Sequence, residues 1–162
     1  MWPFDRRRKA KEQAGAATME VLSLLPPELV ERLGGIPSAA VCGVLDRQAP
    51  ESHFRANPKF VELLHSVIRK AGPGDAELQA AAALQKNGWV YVIDLRTPDG
   101  PQGRVLPEDI IGGFEVKEGV IDPQSYYQNQ KHLVFSSRGL MLLPPTLQKA
   151  LLEELSRLPL ES

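Results

Sequence analysis

Three stretches of the chain hold the residue types that could do chemistry. DLRTPDGPQGR, residues 94–104, sets Asp94, Arg96, Asp99 and Arg104 around a turn. Arginine presents a planar fork of donors that fits a carboxylate or phosphate. Arg96 and Arg104 are therefore candidate anion-binding residues. Asp94, Asp99 and Arg104, joined by His132, could serve a small-molecule binder or a hydrolase. DPQSYYQNQKH, residues 122–132, is too polar for a core strand and richer in aromatics than an ordinary linker. Tyrosine beside amide side chains suits a recognition surface, because it offers large contact area at modest entropic cost. Tyr126, Tyr127, Asn129 and His132 are the candidate partner-binding residues. MWPFDRRRK, residues 1–9, sets Trp2 and Phe4 beside Arg6, Arg7 and Arg8. Aromatic and basic side chains together suit an anionic membrane surface or an acidic partner face.

Signatures of common catalytic machinery are missing. The chain has no G-x-x-x-x-G-K-[ST], no G-x-G-x-x-G after a strand, no H-E-x-x-H and no G-x-S-x-G. Its three histidines, His53, His65 and His132, do not form a metal-binding spacing. The one cysteine, Cys42, lies among small apolar residues, where a thiol is usually inert core. No cofactor or metal is expected, and a non-enzymatic role is favoured.

These residues need elements to hold them, and 162 residues suffice for one domain with a real core. The composition, 43% hydrophobic and 24% charged, is that of a globular protein. Residues 1–12 carry five basic and two acidic side chains, a net of +3, against 14 basic and 18 acidic in the rest, a net of −4. A basic tail, residues 1–15, is expected ahead of a mildly acidic body, residues 16–162. That balance argues against nucleic acid as the partner. A lone cysteine and the lack of any long apolar run point to the cytoplasm.

Periodicity supplies the elements. TMEVLSL, residues 18–24, reads as a short helix, and residues 36–49 as a tightly packed one. NPKFVELLHSVIRKAG, residues 57–72, is the clearest helix, with Phe60, Leu63, Leu64, Val67 and Ile68 on one face. Asp75 caps a second helix that Asn87-Gly88 stop. From Trp89 the character turns to strand: WVYVIDLR, a partner at 103–106, a hairpin at 113–122 turning at Glu118-Gly119, and another at 132–143 turning at Ser136–Gly139. A C-terminal helix carries Leu147, Leu151, Leu155 and Leu158 as a stripe for the core or a homo-oligomer seam. LLPP occurs at residues 24–27 and 142–145, each time before a helical pattern. The second proline suits a first helical position, so the repeat reads as one helix-start device used twice.

The expected fold is α+β: a helical N-terminal half, a small antiparallel meander in the C-terminal half, and a C-terminal helix packed on it. The expected function is a protein-interaction or regulatory module. The alternatives are an anionic-ligand binder or hydrolase using the Asp/Arg loop, and a peripheral membrane protein held by its tail.

Overall fold

The computed structural model describes residues 19–46 and 53–160, which fall into two compact units. The first gathers the described residues of 1–63 and 152–162, and the second comprises 64–151. Helices and antiparallel sheets are both present, as α+β requires. No described helix is long and apolar enough to cross a membrane.

In the first unit the expected helical half is instead largely strand. β1 (Met19–Ser23), β2 (Val41–Asp46) and β3 (His53–Ala56) form an antiparallel sheet in that order. Residues 18–24 are too few to nucleate a helix unaided. As a strand, 19–23 gains a full ladder to β2, from Met19 opposite Asp46 to Ser23 opposite Val41. The small residues within 36–49 serve close strand approach rather than helix packing. A Cβ on Gly43 would lie 2.3 Å from the Arg55 carbonyl oxygen and 2.4 Å from the Phe54 ring. Only Ser38–Ala40 keeps a helical turn, of the 3₁₀ kind. Residues 47–49 of that expected helix lie outside the described residues.

Cys42 is buried with no exposed surface, and burial pushes its thiol up to about 12, outweighing the backbone hydrogen bond from Leu24. Asn57 ties this sheet to the next helix. Its Nδ2 donates to the carbonyls of Ser38 (2.9 Å) and Val41 (2.8 Å). Its Oδ1 accepts from Lys59 N at the start of that helix (3.1 Å).

Both LLPP segments begin helices. Pro27 opens α1 (Pro27–Leu33), which ends at Gly34 in the left-handed conformation, φ 83°. The strongest periodic stretch is α2 (Pro58–Ala71), with Phe60, Leu64, Val67 and Ile68 buried. α3 (Ala76–Gln85) is capped by Asp75, whose carboxylate accepts from Leu78 N (2.9 Å). Pro145 opens α4 (Pro145–Ser156), where Leu147, Leu151 and Leu155 are wholly buried. Those three leucines are core, whereas Leu158, the fourth of the expected stripe, lies past the end of the helix and is half-buried.

The second unit holds the main sheet. β4 (Gly88–Ile93) pairs antiparallel with β5 (Ile110–Lys117), which also pairs with β6 (Val120–Ile121) and β7 (Tyr127–Gln128). The partner of β4 is thus β5, not residues 103–106, which form no strand and run into Pro107, a residue without an N–H to give a ladder. Between β5 and β6, Glu118 (φ 51°) and Gly119 (φ 81°) make the expected two-residue turn. A separate hairpin, β8 (Phe135–Ser136) with β9 (Gly139–Leu140), turns at Ser137-Arg138.

Gly43→Ala is expected to cost about 1–3 kcal/mol, because the new methyl meets backbone and cannot be absorbed by a rotamer change. Gly74→Ala, where a Cβ meets nothing within 4 Å, is the matched control and should be neutral. Urea unfolding of the two variants checks this; equal stability would mean that β2 and β3 do not approach so closely.

Candidate functional site

β5 carries two successive glycines, and each makes room for an aromatic ring on a different face of the main sheet. A Cβ on Gly112 would lie 2.3 Å from the Tyr126 hydroxyl. A Cβ on Gly113 would lie 2.8 Å from Cδ1 of Tyr91. Strand side chains alternate between faces, so Tyr126 and Tyr127 diverge.

Tyr126 turns inward. Its ring lies 5.1 Å from that of Phe114, and its hydroxyl is 2.6 Å from Nδ1 of His65 on α2. The Arg69 guanidinium sits 5.4 Å over the ring. Burial raises the Tyr126 hydroxyl well above the usual phenol range, Arg69 opposing. Burial also lowers His65 to about 4, helped by the charges of His132 and Arg69. The pair is a neutral buried hydrogen bond under the sheet.

Tyr127 turns outward and stays 48% exposed, with its ring edge-on to Trp89 at 6.3 Å and 75°. Trp89 and Tyr91 occupy alternate positions on β4 and are 38% and 45% exposed. Their neighbours Val90 and Val92 face the core. Tyr91 and Tyr127 both lie opposite Gly113 in the ladders, so they flank a strand that has no side chain there. Glu115, opposite Trp89, and Lys117, opposite Val120, complete this face, and Val120 is exposed as well. The result is an outer face of three rings, with that of Tyr91 lying against the Gly113 backbone.

Beyond the end of β4 stands a buried charge network. Asp94 has no exposed surface. Its Oδ1 accepts from Arg96 N (3.0 Å), Arg96 Nε (3.0 Å) and Leu142 N (3.1 Å). Its Oδ2 accepts from Arg96 Nη2 (2.7 Å) and His132 Nε2 (2.9 Å). Burial alone would raise this carboxyl, but the His132 and Arg96 hydrogen bonds and the Arg96 charge hold it at about 2. Arg96 spends its other donors on Ser136 Oγ (3.1 Å) and on the carbonyls of Gly139 (2.5 Å) and Leu133. Arg138 donates to the Arg96 carbonyl (2.5 Å) and to Asp109 Oδ1 (3.1 Å). Asp109 Oδ2 and Thr97 Oγ1 are buried beside this network without a partner.

The residues singled out in the sequence are therefore dispersed. Arg96, expected to meet an anion, is 8% exposed and meets Asp94 instead. Arg104 and Asp99 are exposed and stand apart from the Asp94–His132 pair in this network. Of the four candidate partner-binding residues, Tyr126, Tyr127, Asn129 and His132, only Tyr127 is exposed. Asn129 is 9% exposed, its Nδ2 donating to the carbonyls of Pro107 (2.9 Å) and Ile110 (2.6 Å). Trp2, Phe4, Arg6, Arg7, Arg8 and the tail 1–15 lie outside the described residues. No group of His, Cys, Asp and Glu suited to a metal ion occurs among the described residues. Trp89 and Tyr91 were missed as site residues. Their signal is the alternation WVYV, which puts both aromatics on one face and both valines on the other. Comparison with protein-family models, curated proteins and solved structures finds no match.

The Asp94 oxygens accept five hydrogen bonds, and the Ser136 hydroxyl accepts from Arg96 Nη1 and Arg138 N. Asp94→Asn should cost about 3–5 kcal/mol, since it strands a buried guanidinium. Acid should weaken the fold in two steps. His65 titrates near 6.5 when unfolded and near 4 when folded, so its contribution is whole above 6.5 and lost as pH falls to 4. Asp94 is whole above 3.8 and lost as pH falls to about 2. Stability measured by urea unfolding across pH 7 to 2 checks this. His65→Gln should remove the upper step and leave the lower; an upper step that survives would assign it elsewhere.

Proposed function

We propose that the chain is a non-enzymatic interaction module of the cytoplasm, and that it recognises a protein through the outer face of its main sheet. One observation supports this reading above the others: three aromatic side chains, Trp89, Tyr91 and Tyr127, remain substantially exposed on the two strands that flank β5. Leaving such rings facing water gains little for the fold. Contiguous exposed apolar surface on a soluble domain marks a contact site. Tryptophan and tyrosine also dominate the energetics of interfaces, because they desolvate much area while losing few rotamers.

The contact set thus shifts from the tyrosine-rich stretch alone to Tyr127 with Trp89 and Tyr91. Tyr126, Asn129 and His132 support it from within: Tyr126 wedges under β5, Asn129 holds the chain entering β5, and His132 holds Asp94. The hydrolase alternative loses its convergent site, because Asp94 and His132 are paired in the interior while Asp99 and Arg104 are exposed.

Replacing Trp89 and Tyr127 together by Ala should leave the melting temperature close to that of the parent. It should weaken capture of the partner at least thirtyfold, the scale of about 2 kcal/mol expected of interface anchors. Leu84→Ala, on the exposed side of α3 at 85% exposure, is the control and should change neither. Affinity capture from lysate of the source organism with quantitative mass spectrometry gives the readout. A partner retained in full by the folded double variant would remove this face from the reading.

A further inference from the structure

β4 is an edge of the main sheet, since among the described residues it pairs with β5 alone. Its other side is a row of backbone groups. The Asp94 amide donates toward β5, to the Asp109 carbonyl, and the Leu95 amide donates the opposite way, to the Leu142 carbonyl. Backbone groups along a paired strand alternate between its two sides. The register irregularity between Val92 and Ile93 puts its extra residue, Ile111, on β5 and leaves β4 regular. Ile93, Tyr91 and Trp89 therefore turn their N–H and C=O groups to the Leu142 side, away from β5. None of these groups has a hydrogen-bond partner among the described residues.

Open edges are ordinarily guarded by proline, by charge, by a bulge or by a covering element, because such a row is a template for another strand. Residues 88–93, GWVYVI, contain no proline and no charged side chain. Trp89 and Tyr91 stand exposed along them. Only an extended chain meets such a row of donors and acceptors group for group, so the chemistry of the edge specifies a strand.

The two ends of the row specify which strand. At one end Leu142 already holds the position beside Leu95. At the other, the chain enters β4 from α3 through Lys86 and Gly88, both at positive φ (69° and 125°). The open row thus runs from Trp89 to Ile93, with Tyr91 at its middle. A second copy, antiparallel about a two-fold axis at Tyr91, fills it. Trp89 then faces Ile93 of the second copy, and Tyr91 faces Tyr91. The second chain turns off at Gly88, just short of the place that Leu142 holds. This register keeps the rings of both copies on one side of the sheet and their valines on the other. It sets no like charges opposite each other.

We propose that the chain forms a two-fold dimer by antiparallel pairing of β4 with β4 of a second copy, centred on Tyr91, so that two main sheets join into one. The pairing is made by backbone and does not rest on the outer face being a recognition surface.

Sedimentation velocity of the full chain across the micromolar range tests this. A concentration-dependent dimer is expected. Tyr91→Lys, which sets like charges opposite at the axis, should raise its dissociation constant roughly tenfold or more. Cysteine variants read the register. Hydrogen-bonded antiparallel pairs hold their Cα atoms about 5.5 Å apart, within disulfide reach. Tyr91→Cys should therefore oxidise to a covalent dimer. Trp89→Cys should not, because its two thiols lie four residues apart, about 14 Å along the strands. Cys42 has no exposed surface and does not compete. All three variants should keep the circular dichroism of the parent. A monomer at every concentration would overturn the proposal, as would equal cross-linking of the two cysteine variants or a dimer undiminished in folded Tyr91→Lys. A monomeric chain whose Tyr91→Lys variant loses a partner captured from lysate would overturn the second copy and give the edge to a strand of another protein.

Discussion

The second unit is arranged around the need of one buried carboxylate for partners. Asp94 loses its water when β4 runs into the interior, and an ionised group there is tolerable only if every lone pair is met. Arg96, two residues on, supplies a charge and three of the five donors. The guanidinium then needs acceptors of its own, and these come from Ser136 and Gly139 on the β8–β9 hairpin and from Leu133 just before it. His132 and Leu142 close the ring from either side of that hairpin. A hairpin of two residue pairs is marginal by itself. Here its conformation is dictated by the carbonyl positions that the arginine demands. Buried ion pairs are poor sources of net stability, and the gain here is a single answer to where residues 132–142 must go.

That fixed end gives the sheet two unlike faces. The inner face is apolar with a polar seam, Tyr126 against His65. The outer face carries rings that no element of the second unit covers. Gly112 and Gly113 make the arrangement possible, each by lacking a side chain on one side. A larger residue at either would displace a tyrosine, so their value lies in the neighbours they admit rather than in backbone freedom.

The sequence was legible where the physics is local. The cap at Asn57, the stripe from Phe60 to Ile68, the Asp75 cap, the Glu118-Gly119 turn and both prolines that open helices follow from residues a few positions apart. It misled where a partner far along the chain decides. MEVLS becomes a strand because VCGVLD lies beside it, and no short-range pattern reveals that pairing. The small residues near Gly43 suit a close helix or a close strand equally. The charged loop was visible as a cluster, but whether Arg96 meets a ligand or Asp94 depends on how the chain folds back at Leu133–Leu142. Tyr127 was legible as unusual, whereas its companions Trp89 and Tyr91 passed as ordinary strand residues.

The divergence of Tyr126 and Tyr127 has a consequence for how this chain can vary. Segments such as residues 122–125 are ordinarily where length changes are absorbed without harm. Here a one-residue insertion or deletion that shifted β7 along β5 would exchange the two tyrosines between faces, because strand side chains repeat with period two. The phenol that meets His65 would go to solvent, and the one beside Trp89 would be driven against Phe114. Only paired changes in length would keep both contacts, so this turn tolerates substitution far better than it tolerates a change of length.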